Sequence, residues 1–461
     1  MTNSDLAAVV AAVRERIDPD EAERRALADA AAALESRVYD ALADLPVDAD
    51  ALQVGSTARG TWLSGDRDID LFVRFPADLD REELEAYGLE VGHAVLPDGH
   101  EEYAEHPYVK GDYDGFDVDL VPCYDVPSAS DIRSAVDRTP FHNAYLTERL
   151  DDDLAADVRV FKRFLKGIDA YGSDLRTEGF SGYLAELLVV GHGGFEPLLR
   201  AAADWSPQVE FDPEDHGTRS FSDPLVVIDP TDSERNVAAV CSAENVARLQ
   251  HYARDLLSDP RESLFFRPDP RALDADGVRD HLDRRGTTAV AVVFDCPDLV
   301  DDQLYPQLRK SLTGVADGLD RRGFDVFRRA TFADTDTDGE GQGEAVLFAE
   351  LSVAERPTVE RHEGPPVHVR QHAEGFYGAY EDGDDHYGPF LDGDRYVVER
   401  EREFTTATGF LESDALFDVA LGKHVESTLR EDGYDVLVGG DVAALAEAFG
   451  AELGRYFAPR P

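Results

Sequence analysis

Residues 54–73 read VGSTARGTWLSGDRDIDLFV, and the rest of the chain takes its meaning from them. A short apolar lead-in ends at Gly55-Ser56, a polar turn follows, and Asp68-Ile69-Asp70 opens a run with the composition of a strand. Side chains alternate across a strand, so Asp68 and Asp70 project from one face while Ile69, Leu71 and Val73 line the other. Neighbouring anions are unfavourable unless water or a cation faces them, and hard carboxylate oxygens at this spacing suit Mg2+. Upstream, Gly55-Ser56 offers an open turn at a helix start, where backbone N–H groups and the Ser56 hydroxyl can hold phosphate oxygens. A phosphate cradle beside metal carboxylates implies a nucleotide. An isolated Asp-x-Asp in so acidic a chain is ordinarily a solvated strand face. Gly-Ser, eleven intervening residues, an apolar-flanked Asp-x-Asp and a further Asp on a later strand form a much narrower pattern.

That later strand lies in residues 103–126, YAEHPYVKGDYDGFDVDLVPCYDV. Tyr108-Val109 and Phe116 to Val121 read as paired strands joined by a turn over Asp112 to Gly115. Asp117 and Asp119 share one face, and alternation leaves both open as the third metal carboxylate. Asp119 is favoured because Val118 and Leu120 enclose it as Ile69 and Leu71 enclose Asp70. On the N-terminal side, Leu27, Leu34, Val38 and Leu42 recur at helical spacing, and a second helix is expected over Asp80 to Leu96. Further on, Thr139-Pro140 opens a helix carrying His142, where a lone His is by itself a capping or packing residue. In the next helix Leu154, Val158, Phe161, Leu165 and Ile168 form an apolar stripe, flanked by Arg159, Lys162, Arg163 and Lys166. The chain holds only five lysines, and two of them one helical turn apart point to a phosphate or RNA contact. A helix is expected from Ser181. In residues 224–242, PLVVIDPTDSERNVAAVCS, an apolar strand and an Asp-Pro turn lead to a helix predicted to begin near Arg235, a placement suited to a base edge or a phosphate.

Composition changes at about Phe265. Beyond it, TTAVAVVF and GFDVFRRATF read as strands separated by a helix around Leu304 to Leu319, and a helix-strand-helix pattern closes the chain over Phe410 to Phe457. This pattern suggests a small sheet covered by helices on one side, a common RNA-binding architecture whose pattern also serves many other roles. Between these parts, Ala345 to Tyr396 is rich in strand residues and Gly-Pro turns and reads as an inserted β-rich domain. Asp334-x-Asp336-x-Asp338-Gly339 imitates the front of a calcium loop, but the twelfth position is Ala345 and the flanks read as strands, so a solvated hairpin tip is expected.

The net charge is -51, with nearly all positive charge carried by Arg. Periodic segments and 43% hydrophobic residues exclude a disordered acidic chain. Such a surface fits a cytosol of multimolar salt, where the Debye length shrinks to about 3 Å and repulsion between the chain and nucleic acid is screened. Cys123, Cys241 and Cys296 lie far apart without a CxxC pair, which fits a reducing compartment and excludes a zinc ribbon. With a charged N-terminus and no run approaching about 20 apolar residues, a soluble cytoplasmic protein with no membrane association is expected.

With these residues laid out, the chain resembles the archaeal, class I CCA-adding enzymes, tRNA nucleotidyltransferases that build and repair the 3′-CCA end. The resemblance runs through GSTARGTWLSGDRDIDLF, AEHPYV, FDVDLVPCY, RTPFHNAYL, FLKGIDAYGSDLRTEGFSGYL, DPTDSERNVAA, LYPQLRKS and GPFLDGDRYVVE. The Gly-Ser and Asp-x-Asp element is common to nucleotidyltransferases at large; GFSGYL and RNVAA point to this family. The resemblance implies an α+β multidomain fold: a nucleotidyltransferase head with a mixed sheet over 1–145, a helical nucleotide-binding neck over 146–265, an RNA-binding α/β body over 266–330 and 405–461, and a small β-rich tail over 331–404. It implies Mg2+ on Asp68, Asp70 and Asp119, ATP or CTP held by Ser56, Arg59, His142, Lys162 and Tyr171, and a base read with the help of Arg235. The acceptor and TΨC arms of tRNA would be gripped by shape, in a homodimer. Two other readings stand beside it: a poly(A) polymerase-like enzyme adding only AMP, and a catalytically inactive RNA-binding protein.

Overall fold

The computed structural model describes residues 3–206, 208–335 and 343–461, which divide into two compact units, residues 1–267 and 268–460. The first unit opens with α1 (Asn3–Ile17) and α2 (Glu21–Leu42), the latter started by Asp20 and Glu23, whose side chains satisfy each other's backbone N–H. Then β1 (Asp50–Val54), the single turn α3 (Gly55–Ala58), β2 (Asp68–Pro76), α4 (Arg81–Val95), β3 (His100–Tyr103), β4 (Pro107–Tyr113) and β5 (Phe116–Asp125) follow. The strands form a mixed sheet in the order β1-β2-β5-β4-β3, with β2 and β5 parallel and the other neighbours antiparallel. Ile69, Leu71, Val73 and Phe75 of β2 turn into a core with Leu34 and Val38 of α2 and Leu84 and Val91 of α4. The opposite face carries the acidic residues. The β4–β5 hairpin turns at Asp114 and Gly115, whose φ of 55° and 79° suit the right-handed twist of the strands.

The unit continues through α5 (Thr139–Thr147), α6 (Asp152–Gly167), α7 (Gly182–His192), α8 (Phe195–Ala203), the short strands β6 (Val209–Phe211), β7 (Leu225–Asp229) and β8 (Asp232–Asn236), and α9 (Ala243–Ser258). Ser181 caps α7, and Gly193 ends it in the left-handed region at φ 75°. The apolar stripe of α6 is buried among α7, α8 and α9, and Leu6, Val13 and Ile17 of α1 join the same core. The first helix, which falls in the range expected for the head, therefore packs with the helices that follow residue 146.

In the second unit, α10 (Ala275–Arg285), β9 (Thr288–Asp295), α11 (Asp301–Arg321), β10 (Val326–Ala333) and β11 (Glu344–Leu351) precede a smaller insertion of β12 (Val359–Pro366), α12 (Arg370–Tyr380), β13 (His386–Asp392) and β14 (Arg395–Glu401). The chain closes with α13 (Ala407–Leu411), α14 (Lys423–Glu431), β15 (Asp435–Val438) and α15 (Ala446–Phe457). Two expectations are corrected here. The β10 and β11 strands lie in the four-stranded sheet β10-β11-β9-β15, so the inserted sheet is only β12-β14-β13 and starts later than residue 331. That larger sheet is also covered on both faces. Val290, Val292 and Leu347 pack with α11 and α14, whereas Ala291, Val346 and Phe348 pack with α10 and α15. The unbroken apolar run of β9 is the reason, because a strand with one wet face would alternate. Asp336, Asp338 and Gly339 of the calcium-like stretch lie outside the described residues.

Cys123, Cys241 and Cys296 are all free and buried. Among the described residues no helix is long and apolar enough to cross a membrane.

Candidate active site

The parallel pairing of β2 and β5 sets Asp68 opposite Asp117 and Asp70 opposite Asp119. Alternation left Asp117 and Asp119 open; the register puts Asp119 beside Asp70, while Asp117 is exposed at the strand's beginning. Burial, then Asp119 and Asp68, pushes the Asp70 carboxyl up to about 6. Asp68 and Asp119 are raised as well, chiefly by burial. Asp119 leans on Lys110, which lies across from it on β4 with its ammonium 3.7 Å away. Gly55, at φ 78°, ends β1 directly against this face: a Cβ there would stand 2.0 Å from the Asp70 Oδ2, so only glycine lets the turn and the carboxylate meet. Among the described residues no three His, Cys, Asp or Glu side chains converge into a closed cation cage. The donor set nevertheless fits a divalent cation: three carboxylates on adjoining strands disfavour one another's ionised form, and a hard cation relieves that.

Behind the turn lies a buried ionic cluster. Glu186 of α7 has no exposed surface; its Oε2 accepts from Arg59 Nε at 3.1 Å and NH2 at 2.7 Å. Its Oε1 accepts from Lys162 Nζ at 3.0 Å and from the Thr61 hydroxyl. Arg59 NH1 donates to Asn143 Oδ1 at 2.7 Å, so every nitrogen of its guanidinium is engaged. Burial alone would raise the Glu186 carboxyl, but Lys162, Arg59 and the Thr61 hydroxyl hold it below the usual carboxylate range. Burial draws the Lys162 ammonium down. The basic stripe on α6 is thus corrected as a free phosphate or RNA face. Lys162 is 3% exposed, Arg159 pairs with Asp18 at 2.7 Å, Arg163 donates to the Phe265 carbonyl at 2.7 Å, and Lys166 stands 3.6 Å from Asp66. Tyr171 is held nearby, its ring 5.3 Å from the Lys166 ammonium, and Ser56 sits in the turn, its carbonyl accepting from Thr61 N–H at 2.9 Å.

A third cluster gathers on Asp229, at the end of β7. His142 Nε2 lies 2.8 Å from Asp229 Oδ2, and the imidazole stacks on Tyr183 with centroids 4.0 Å apart. Arg235 NH1 donates to the same oxygen at 2.6 Å, and Thr231 donates to the other through its N–H and hydroxyl. Burial would raise Asp229, but His142 and Thr231 hold it well below the usual carboxylate range; burial lowers His142. A cavity of about 340 Å³ opens here, lined by Arg138, His142, Ser181, Tyr183 and Arg235 among others. Arg235 lies on β8 and not at a helix start. The Asn236 side chain accepts from the N–H groups of Val227 and Ala238 and donates to the Leu225 carbonyl, which fastens the segment beside β7. Glu186, Asp229 and Tyr183 were not singled out from sequence. The signal for Glu186 is a lone acid inside the apolar run GYLAELLVV, because an acid buried along with such a run requires a paired cation.

Residues 35–142 match the nucleotidyltransferase domain, 156–266 the second domain of tRNA nucleotidyltransferase, and 285–439 the C-terminal domain of the CCA-adding enzyme. The CCA-adding enzyme of Halorubrum lacusprofundi is 66% identical over 462 residues, covering 99% of this chain and 100% of that one. The chain belongs to the CCA-adding enzyme family. The CCA-adding enzyme of Haloarcula marismortui is 61% identical over 466 residues, with both chains covered in full at 100%. Among solved structures, CdnC of E. coli MS115-1 with ATP is similar with a TM-score of 0.44 at 18% identity, covering 57% of this chain and 95% of that one. Full-length identity to CCA-adding enzymes sets aside the poly(A) polymerase-like and inactive readings. The head sheet of this tRNA nucleotidyltransferase carries Asp68, Asp70 and Asp119. Ser56, Arg59, Lys162 and Tyr171 gather around the adjoining turn and ionic cluster, and His142 and Arg235 meet at Asp229.

Proposed function

We propose that the acidic face of β2 and β5 binds Mg2+ and that the site transfers CMP and AMP units from CTP and ATP, in the order C, C, A, to the 3′ end of tRNA lacking those residues. The observation that carries this reading is Asp70 in register with Asp119 and pressed against the Gly55 turn. Asp68, Asp70 and Asp119 would hold the metal, which when bound activates the attacking hydroxyl and neutralises the departing pyrophosphate. Ser56 offers its hydroxyl to a phosphate oxygen. Arg59 and Lys162 supply positive potential from behind the turn, Lys162 through its field because its ammonium is buried. Tyr171 adds a wall near the same cluster.

His142, kept neutral by burial, packs against Tyr183 and fixes Asp229, which in turn aims the Arg235 guanidinium. A donor-only group there favours cytosine and adenine, which present ring-nitrogen acceptors where uracil and guanine carry N–H. The second unit would hold the acceptor and TΨC arms, and the family resemblance adds a homodimer. The test supplies labelled CTP and ATP with tRNA lacking its last three nucleotides. Three additions that stop after A support the reading; tailing with AMP alone, or no dependence on Mg2+, defeats it. Sedimentation at working salt tests the dimer.

A further inference from the structure

We propose that Glu186 is a positioning residue for the incoming nucleoside triphosphate, holding Arg59 and Lys162 as a paired cationic anchor behind the Gly55-Ser56 turn. The inference rests on the proposed contact of these two cations with the triphosphate and goes beyond it by naming the group that makes them coexist.

Two buried cations so close repel each other, and each loses hydration. Glu186 counters both at once, giving one oxygen to the Arg59 Nε and NH2 donors and the other to Lys162 at 3.0 Å. Thr61, itself fully buried, adds its hydroxyl to the second oxygen and also accepts from Lys162 at 3.2 Å. With Asn143 taking the remaining Arg59 nitrogen, the guanidinium has one orientation. Two cations against one carboxylate leave one positive charge unmatched within the cluster. Geometry joins the cluster to the acidic strand face: the Thr61 N–H and hydroxyl reach the Ser56 carbonyl at 2.9 and 3.4 Å, and the adjoining Gly55 lies against Asp70, so an anion on the Gly55-Ser56 turn would lie between the anchor and the carboxylates.

The test uses the full-length protein in its working salt. Glu186→Gln should raise KM for both CTP and ATP by about tenfold and change kcat by less than about threefold, with KM for tRNA unaltered. Equilibrium binding of CTP without tRNA should weaken by the same factor. In the double variant Glu186→Gln with Lys162→Met, the losses should fall well short of the product of the single losses, because the carboxylate acts through the ammonium. A folded Glu186→Gln protein with wild-type nucleotide affinity, or losses that multiply fully, overturns the proposal. Should Glu186→Gln not fold, Thr61→Val, which keeps all three charges, takes its place: a rise in KM of about threefold is expected, and no rise overturns the proposal. Arg59→Ala separates the two levels. If it leaves nucleotide binding untouched, the triphosphate reading itself fails; if it weakens binding while Glu186→Gln does not, only the role of Glu186 fails.

Discussion

Among the described residues each unit buries one glutamate completely, and the two are solved differently. Glu350 on β11 meets Arg285 in a two-oxygen fork, Nε to Oε1 at 2.6 Å and NH2 to Oε2 at 2.9 Å, and is closed off by the hydroxyls of Tyr456 and Thr287. One anion faces one cation, and the remaining partners are neutral. Glu186 instead divides its oxygens between Arg59 and Lys162 and leaves a positive excess. The contrast teaches that burial and hydrogen-bond quality do not distinguish a structural ion pair from a working one. The neighbouring surface does: the Glu350 fork is closed off by neutral hydroxyls, whereas the Glu186 cluster is joined through Thr61 and the Gly55-Ser56 turn to a strand face crowded with carboxylates.

The largest effect should come from that face. Asp70→Asn should lower both C and A addition by about a thousandfold or more while tRNA binding stays within about twofold, measured by single-turnover assay and filter binding. The same change should stabilise the metal-free protein. The Asp70 pKa is raised from 3.8 to about 6, so its favourable protonated form is fully present below 3.8 and that contribution is lost as pH rises through about 6. In chelator, the variant should melt above the wild type at pH 8 and with it at pH 3.5; equal melting at both pH values would separate the Glu186 cluster from any strained acidic neighbour.

Next in size, Glu350→Ala should destabilise the second unit by about 3 kcal/mol, at the low end for a broken buried pair because the Arg285 side chain keeps 29% exposure, with KM for CTP and ATP unchanged. Denaturant titration and steady-state kinetics decide it. A shifted nucleotide KM would erase the distinction between the two glutamates.

Arg235→Ala should be smaller, with about 1–3 kcal/mol of discrimination against UTP and GTP lost and the rate of correct addition little changed. Wild-type fidelity with all four triphosphates would make Arg235 only the partner of Asp229. The smallest effect concerns His142, whose pKa burial lowers from 6.5. Its neutral form belongs to the fold, so its contribution is present above 6.5 and is lost as pH falls through the lowered value. His142→Phe, which keeps the ring on Tyr183, should flatten stability between pH 7 and 5 by about 1 kcal/mol or less; an unchanged slope would assign the acid sensitivity elsewhere.

What the sequence made legible was local. Two-residue alternation placed Asp68 and Asp70 on one face, the Asp-Gly turn set the β4–β5 hairpin, and three-and-four spacing found the buried stripe of α6. What it hid depends on partners that arrive from far along the chain. The basic residues of α6 looked like a solvated or phosphate-facing edge because periodicity says nothing of Asp18, Asp66 or Glu186 meeting them across the fold. RNVAA has helical composition, yet one amide side chain, Asn236, ties it to β7. The start of the insertion was misplaced because β11, buried along almost its whole length, has the composition of a strand in any sheet and names no partner.

The three cysteines give this chain a built-in set of chemical reporters. Cys123 lies with Val54, Phe72 and Val121 in a small apolar cluster on the same sheet face as the acidic residues, further along the strands, Cys241 in the helical core of the first unit, and Cys296 in the core beside α11. Burial raises all three thiols, Cys241 to about 12 and Cys296 to about 11, so little nucleophilic thiolate is available in the folded state. An alkylating reagent should therefore mark each cysteine only when its own core opens. Lowering KCl from about 3 M unscreens the self-repulsion of the acidic surface, and the order in which the three sites become labelled, read by mass spectrometry, then ranks the cores by their dependence on salt.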